Sequence, residues 1–252
     1  MILDEFALQG RVALVTGATR GLGQGLALAL AEAGADVALL DRGGSPETAE
    51  QIEALGRRAM SIECDLLDAG VDDLGRVVSS VVDDLGRLDV LVNNAGIIRR
   101  QPAIEFSEEN WDNVLDINLR AVFFLSQAVA RVMTSGGKII NIASMLSFQG
   151  GITVPSYTAA KSAVAGVTRA LANEWAPLGI NVNAIAPGYM ATDNTAPLRA
   201  DASRSVAILE RIPAGRWGTP KDLKGVAVFL ASEASDYVHG AIIPVDGGWL
   251  TR

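Results

Sequence analysis

Tyr157-Thr158-Ala159-Ala160-Lys161 holds the residues best suited to proton chemistry in this 252-residue chain. Helix positions four apart share a face, so Lys161 is expected to hold its ammonium beside the Tyr157 phenol. A nearby cation favours phenolate and lowers a pKa that is about 10 when unperturbed. A tyrosine tuned in this way exchanges a proton with an alcohol or a carbonyl near neutral pH. Ser144 stands thirteen residues upstream. A Tyr-x-x-x-Lys pair alone arises by chance on many amphipathic helices. It gains weight from a dinucleotide-binding pattern at the start of the same chain.

That pattern is Arg11-Val12-Ala13-Leu14-Val15-Thr16-Gly17-Ala18-Thr19-Arg20-Gly21-Leu22-Gly23. An apolar run ends at Thr16, and a helical pattern from Leu22 stops at Gly34. Strand, glycine turn and helix together aim free N–H groups and a positive dipole end at a pyrophosphate. Gly17, Gly21 and Gly23 fall where the backbone must take φ > 0 or approach phosphates closely. An ordinary Gly-rich turn is the bland alternative. No Lys-Ser or Lys-Thr follows the last glycine, which disfavours a Walker-type phosphate loop.

Asp41 ends the second strand-like run, eighteen residues after Gly23. An acidic residue there accepts from the adenosine ribose hydroxyls and repels a 2′-phosphate. Two unit charges 4 Å apart interact by roughly 4 kcal/mol at an effective dielectric of 20. An exposed ion pair contributes only about 0–1 kcal/mol. Asp41 is therefore expected to outweigh Arg20 and Arg42, which makes NAD(H) the expected cofactor. Asp65, after the third strand, is placed to accept from the adenine amino group; the alternative is a solvated turn residue.

The elements that position these residues follow from periodicity. Strands are expected near 11–16, 36–40, 58–63, 88–92, 137–142, 180–185 and 241–245. Helices are expected near 22–33, 46–55, 70–84, 108–133, 156–176 and 220–231. Alternating strands and helices make an α/β fold: one doubly wound parallel sheet of seven strands, ordered 3-2-1-4-5-6-7, with helices on both faces. Ligands bind beyond the carboxyl ends of such strands, where Thr16, Asp41, Asp65, Asn93, Ser144 and Pro187 all fall. Tyr189 to Trp217 has four arginines, small polar residues and two prolines without a strand pattern, and reads as a lid over about 189–217.

No linker, charge block or repeat divides residues 1–252, so a single domain is expected. The net charge of −8 opposes nucleic acid and anionic membranes as partners. No apolar run approaches the ~18 residues of a membrane span. Met1 to Gly10 contains Asp4 and Glu5 and does not read as a signal peptide. Cys64, the only cysteine, excludes an internal disulfide and fits a reducing cytoplasm; it reads as a small buried hydrophobe. One histidine, His239, cannot build a His-based metal site or a Ser-His-Asp triad, and no metal is expected.

Thr16-Gly17-x-x-x-Gly21-x-Gly23, Asn93-Asn94-Ala95-Gly96, Asn118, Ser144, Tyr157, Lys161 and Pro187-Gly188 together resemble the short-chain dehydrogenase/reductase family, over essentially the whole chain. The resemblance implies an oxidoreductase that moves a hydride between nicotinamide and a keto or hydroxy group. Tyr157 would be the general acid/base, Ser144 would hydrogen-bond the reacting oxygen, and Asn118 would hold a water in the proton path. Lys161 would bind the nicotinamide ribose and lower the Tyr157 pKa. The dinucleotide would contact Gly17, Thr19, Arg20, Gly21, Leu22, Gly23, Asp41, Asp65, Leu66, Asn93, Ala95, Gly96, Pro187, Gly188 and Thr192, besides Tyr157 and Lys161. A homo-oligomer, a tetramer by the same resemblance, would use helices 108–133 and 156–176.

Several stretches resemble one branch of that family more closely, the 2-deoxy-D-gluconate 3-dehydrogenases, also described as 2-keto-3-deoxygluconate dehydrogenases. They include Asn93-Asn94-Ala95-Gly96-Ile97-Ile98-Arg99-Arg100, the stretch Ser144-Met145-Leu146-Ser147-Phe148-Gln149-Gly150-Gly151, and Arg211-Ile212-Pro213-Ala214-Gly215-Arg216-Trp217-Gly218. A deoxy sugar acid needs a cation for its carboxylate and polar groups for its hydroxyls. Arg99, Arg100, Ser147, Gln149 and Tyr189 lie on loops expected around the nicotinamide, with Ser144 at the reacting oxygen; the bland alternative makes both arginines solvated. The runner-up activity is reduction of a polyol or an acyl thioester. A non-catalytic dinucleotide sensor would have no need for the tyrosine or lysine, nor would a Rossmann-like methyltransferase for Ser144, Tyr157 and Lys161.

Overall fold

Val12, Leu14, Ala38, Leu40, Leu91 and Val182 bury one face of the sheet; Ala13, Val15, Val37, Leu39, Val92 and Ile185 bury the other. Side chains alternate across a strand, so a strand covered on both faces needs an unbroken apolar run. The computed structural model describes residues 1–252 and arranges seven strands in one sheet. They are β1 (Val12–Thr16), β2 (Asp36–Asp41), β3 (Ala59–Glu63), β4 (Val90–Asn93), β5 (Gly137–Ile142), β6 (Ile180–Pro187) and β7 (Ile242–Val245). The order is β3-β2-β1-β4-β5-β6-β7, as expected, and every pairing is parallel. Val15 pairs with Leu39 on one side and Val92 on the other, so the winding reverses at β1 and opens a crevice beyond its carboxyl end.

The helices, in chain order, are α1 (Gly21–Glu32), α2 (Pro46–Ala54), α3 (Val71–Leu85), α4 (Glu108–Leu115), α5 (Ala121–Ala130), α6 (Pro155–Trp175), α7 (Ala196–Ala200), α8 (Ala202–Arg211) and α9 (Pro220–Ala231). Leu26 and Leu30 of α1, Ile52 of α2 and Leu223 and Leu230 of α9 cover one face. Leu74 and Val81 of α3, Leu125 of α5 and Leu171 of α6 cover the other.

Two expectations are corrected. The single helix expected over 108–133 is α4 and α5 joined by a π-helical turn, Asp116–Arg120, and it ends at Ala130. The lid over 189–217 contains α7 and α8, which its mixed composition hides; the Asp201 carboxylate caps α8 by accepting from Arg204 N at 3.0 Å. Cys64 is half-buried rather than fully buried, and burial together with the Asp73 and Asp65 charges raises its thiol pKa. No helix is long and apolar enough to cross a membrane, and no group of acidic, His or Cys side chains is arranged to hold a metal.

Candidate active site

Pro155 opens α6, where its fixed φ suits the first turn, and this sets Tyr157 and Lys161 one turn apart at the crevice. Lys161 is buried, and its Nζ donates to the Ile142 carbonyl at 2.6 Å. Burial lowers its pKa to about 8. Ser144 follows β5 and accepts from Leu146 N at 3.1 Å, which fixes its hydroxyl at the mouth of the crevice. Burial raises the Tyr157 pKa; the Ser144 hydroxyl and the Arg100 charge pull it partly back. The expected lowering by Lys161 is not what this geometry produces. Its Nζ is held by Ile142 and lies 5.6 Å from the centroid of the Tyr157 ring, facing the ring and not the hydroxyl.

Asn118 lies at the centre of the π turn and is fully buried. Its Nδ2 donates to the Ile97 carbonyl at 2.7 Å, and its Oδ1 accepts from Ile97 N at 2.9 Å. The extra residue in the turn swings this amide out of the helical ladder onto the loop after β4. Gly96 makes room: a Cβ there would lie 2.6 Å from Asn118 Oδ1.

The turn between β1 and α1 is shaped for a dinucleotide. Gly17 and Gly21 have φ of +66° and +60°, and a Cβ on Gly23 would lie 2.0 Å from the Gly17 carbonyl oxygen. No side chain caps α1, so its first N–H groups stay free for a phosphate beside Thr19, Arg20 and Leu22. Asp41 accepts from Thr19 N at 3.3 Å and from Arg42 N at 2.8 Å. Asp65 accepts from Leu67 N at 3.0 Å, next to the buried Leu66.

Two of the expected contacts are narrowed. The Asn93 side chain turns into the core, donating to Ser126 and Asn141 at 2.9 Å each, so only its backbone faces the crevice with Ala95 and Gly96. The Ser147 hydroxyl is occupied by the Lys161 carbonyl at 2.6 Å and does not serve the pocket. Asn94, missed in the sequence, binds the carbonyls of Thr16 and Gly17 through Nδ2 at 2.9 and 3.1 Å and ties β4 to the glycine turn.

Pro187 ends β6, and Gly188 packs so tightly that a Cβ would sit 2.6 Å from Asp246 Cα. Thr192 then begins a short turn, Asp193–Thr195, that lies over the glycine loop. Arg20 pairs with Asp193 at 3.1 Å, and Arg100 donates to the Asn194 carbonyl at 3.0 Å. Arg99 has no side-chain hydrogen bond and no ion pair. Tyr189 packs edge-on against Trp217 and Trp249, with ring centroids 5.5 and 4.8 Å away. Burial raises its pKa, while Arg204, Arg211 and Arg100 oppose the rise. Gln149 accepts from Arg211 at 3.3 Å. Tyr157, Tyr189, Met145, Ile212 and Trp249 share one apolar cluster, so the 189–217 segment packs against the N-terminal part of α6. Trp249 was missed because nothing in its local spacing brings the C-terminal segment against residues 189–217, whose arginines the sequence did single out.

A family model described as enoyl-(acyl carrier protein) reductase matches residues 17–250. The chain is 62% identical over 255 residues to the 2-dehydro-3-deoxy-D-gluconate 5-dehydrogenase of Dickeya dadantii, covering 100% of both chains. It is 60% identical to the enzyme of that name from Escherichia coli, again over 100% of both. A crystal structure from Agrobacterium tumefaciens, assigned as a 2-deoxy-D-gluconate 3-dehydrogenase with bound NADP, has a TM-score of 0.92 at 57% identity and covers 99% of this chain and 100% of its own. With a glycine cradle, a seven-stranded parallel sheet and Ser144, Tyr157 and Lys161 at one crevice, this chain belongs to the short-chain dehydrogenase/reductase family of oxidoreductases.

Proposed function

We propose that this chain is an NAD(H)-dependent dehydrogenase that interconverts the hydroxy and keto forms of a deoxy sugar acid, of the 2-deoxy-D-gluconate or 2-keto-3-deoxygluconate type. The observation that carries this reading is the set of arginines without carboxylate partners whose charges reach Tyr157 and Tyr189. Arg99 and Arg100 have no carboxylate partner, and the charge of Arg100 reaches both Tyr157 and Tyr189. Bidentate arginine–carboxylate pairing is strong and directional. The names of the Dickeya and Agrobacterium relatives support the same substrate class.

Nicotinamide, when bound, supplies the two-electron acceptor or donor. The chain's own groups handle the oxygen. Ser144 donates to the reacting oxygen and holds it beside the Tyr157 hydroxyl. Tyr157 takes the proton as an alcohol becomes a carbonyl and returns it in the reverse direction. Lys161 binds the nicotinamide ribose, and the carboxylate of the substrate rests against Arg99 or Arg100, with Gln149 and Tyr189 at its hydroxyls. Asn118 holds a water that carries the proton onward from the buried side. Gly17, Thr19, Gly21, Leu22 and Gly23 cradle the phosphates, Asp65 and Leu66 frame the adenine, and Pro187, Gly188 and Thr192 face the carboxamide.

The preference for NAD(H) rests on Asp41, which faces the position of the ribose hydroxyls. Arg20, one of the two rival cations, pairs with Asp193. The NADP in the Agrobacterium relative marks the alternative. Asp41→Ala is expected to raise kcat/KM with NADP(H) and lower it with NAD(H). A wild-type enzyme that already prefers NADP(H) would overturn this part.

A homo-oligomer, a tetramer, is proposed through α4–α6, where Trp111 is left exposed. A single unpaired cysteine supports a reducing, cytoplasmic compartment. The function is tested with Arg99→Ala and Arg100→Ala. At least one is expected to raise KM for the sugar acid much more than for its neutral polyol analogue. A change in KM alone means uniform binding, and a parallel loss in kcat means that the arginine also orients the carbonyl. Two silent variants, with wild-type enzyme equally efficient on acid and polyol, would contradict the sugar-acid reading.

A further inference from the structure

Arg211 closes α8 and is exposed, and its guanidinium carbon lies 4.1 Å from the centroid of the Trp249 ring. One terminal nitrogen donates to Gln149 Oε1 at 3.3 Å. The chain's ion pairs leave it out, although acidic residues outnumber basic ones by 29 to 21. Two other lid arginines are occupied locally: Arg199 donates to the Thr192 carbonyl at 3.1 Å and Arg216 pairs with Asp222 at 2.6 Å. Arg211 is thus a cation held in place by a π face and a neutral amide, with its charge uncompensated.

Its support is rigid. Trp249 is buried at 4% exposure, packed against Tyr189 and Ile212 within the cluster that includes Tyr157. The Trp249 indole N–H has no hydrogen-bond partner, so packing alone fixes the ring. Gln149 lies on the segment that follows Ser144, which places the Arg211 fork beside the loop carrying a catalytic hydroxyl. A stacked guanidinium keeps its planar donors aligned at little cost in side-chain freedom.

We infer that Arg211, stacked on Trp249 and steered by Gln149, is the lid's carboxylate receptor and a specificity-determining residue for acidic over neutral substrates. The inference rests on the sugar-acid reading and adds to it a receptor on the lid, whose charge reaches Tyr189 as that of Arg100 does. The substrate anion would neutralise the lid's inner face, so that closing the lid over the pocket and recognising the acid become one event. Trp249 acts through Arg211 as a positioning residue.

The test compares wild type, Arg211→Met, Arg211→Lys and Trp249→Phe on a deoxy sugar acid and on its neutral polyol analogue. Met keeps the stem over the indole and removes the charge. A hydrogen bond to a charged group contributes about 1.5–3 kcal/mol, so Arg211→Met should lose about 10- to 100-fold in kcat/KM on the acid, mostly through KM. Its loss on the neutral analogue should be at least about tenfold smaller. Lys should recover only part of the loss, because a point charge lacks the planar fork. Trp249→Phe should shift the acid KM in the same direction. Equal losses on both substrates would mean a structural role and overturn the inference. Wild type that prefers the acid while Arg211→Met keeps that preference would overturn it as well, with the sugar-acid reading intact. Wild type without any preference for the acid would overturn both.

Discussion

Tyr157 and Lys161 are both disfavoured as ions by burial, in opposite directions on the pH scale. Neither residue is tuned by the other in the simple way that helix spacing suggests. Lys161 spends a hydrogen bond on Ile142, and the cation felt at the phenol is Arg100. The residue types and their order were legible in the sequence. Which atom each polar group satisfies was not, because those partners come from strands and loops far away in the chain. Tyr157→Phe is expected to cut kcat by at least about 10²-fold while dinucleotide affinity stays within about threefold. Retention of more than about a tenth of wild-type kcat would remove Tyr157 from the proton-transfer role.

Lys161 also makes a prediction about pH. Its pKa is about 8 in the folded chain against 10.5 when exposed. Between those values the unfolded chain holds a proton that the folded chain has released, so this residue's contribution to stability rises with pH. Below pH 8 the penalty is about 3 kcal/mol. Lys161→Met removes it. The variant's gain in thermal midpoint over wild type should therefore be largest below pH 8 and shrink toward pH 10. A gap that stays constant across that window would contradict the buried, destabilised ammonium.

At the scale of elements, the central strands were readable because strands buried on both faces have to be continuous apolar runs, while the edge strands β3 and β7 are only partly buried. The seven strands and their order follow from that and from the intervening helices. The π turn was not readable. Asp116–Arg120 has ordinary helical residues, and its extra residue is stabilised by the two hydrogen bonds between Asn118 and Ile97, a partner 21 positions away. The two helices of the 189–217 segment stayed hidden for a related reason: the cluster that buries Ile208 and Ile212 also draws on Met145, Leu146, Val154 and Trp249, outside the segment itself. Gly96→Ala tests the π turn. A Cβ 2.6 Å from Asn118 Oδ1 must displace that amide, so kcat should fall by more than dinucleotide affinity does. Gly23→Ala, with its Cβ 2.0 Å from the Gly17 carbonyl, should instead abolish dinucleotide binding measured by titration. If both variants lost binding and turnover together, the division between cradle and proton path would be wrong.

The whole molecule carries a net charge of −8, yet the charges of Arg100, Arg204 and Arg211 converge on Tyr189, and none of the three is paired with a carboxylate. An acidic body repels an anionic substrate, and on the proposed function the local reversal of sign is what would let one enter. That contrast links the residue and element scales to the substrate, and it separates a sugar acid from a polyol of the same shape. The measurement that tests it most directly is kcat/KM of the wild-type enzyme across deoxy sugar acids, their neutral polyol counterparts and an acyl thioester, each with both nicotinamide cofactors. A sugar acid with NAD(H) should exceed its neutral counterpart by at least about tenfold. Equal efficiency on acid and polyol, or a preference for the thioester, would contradict the account.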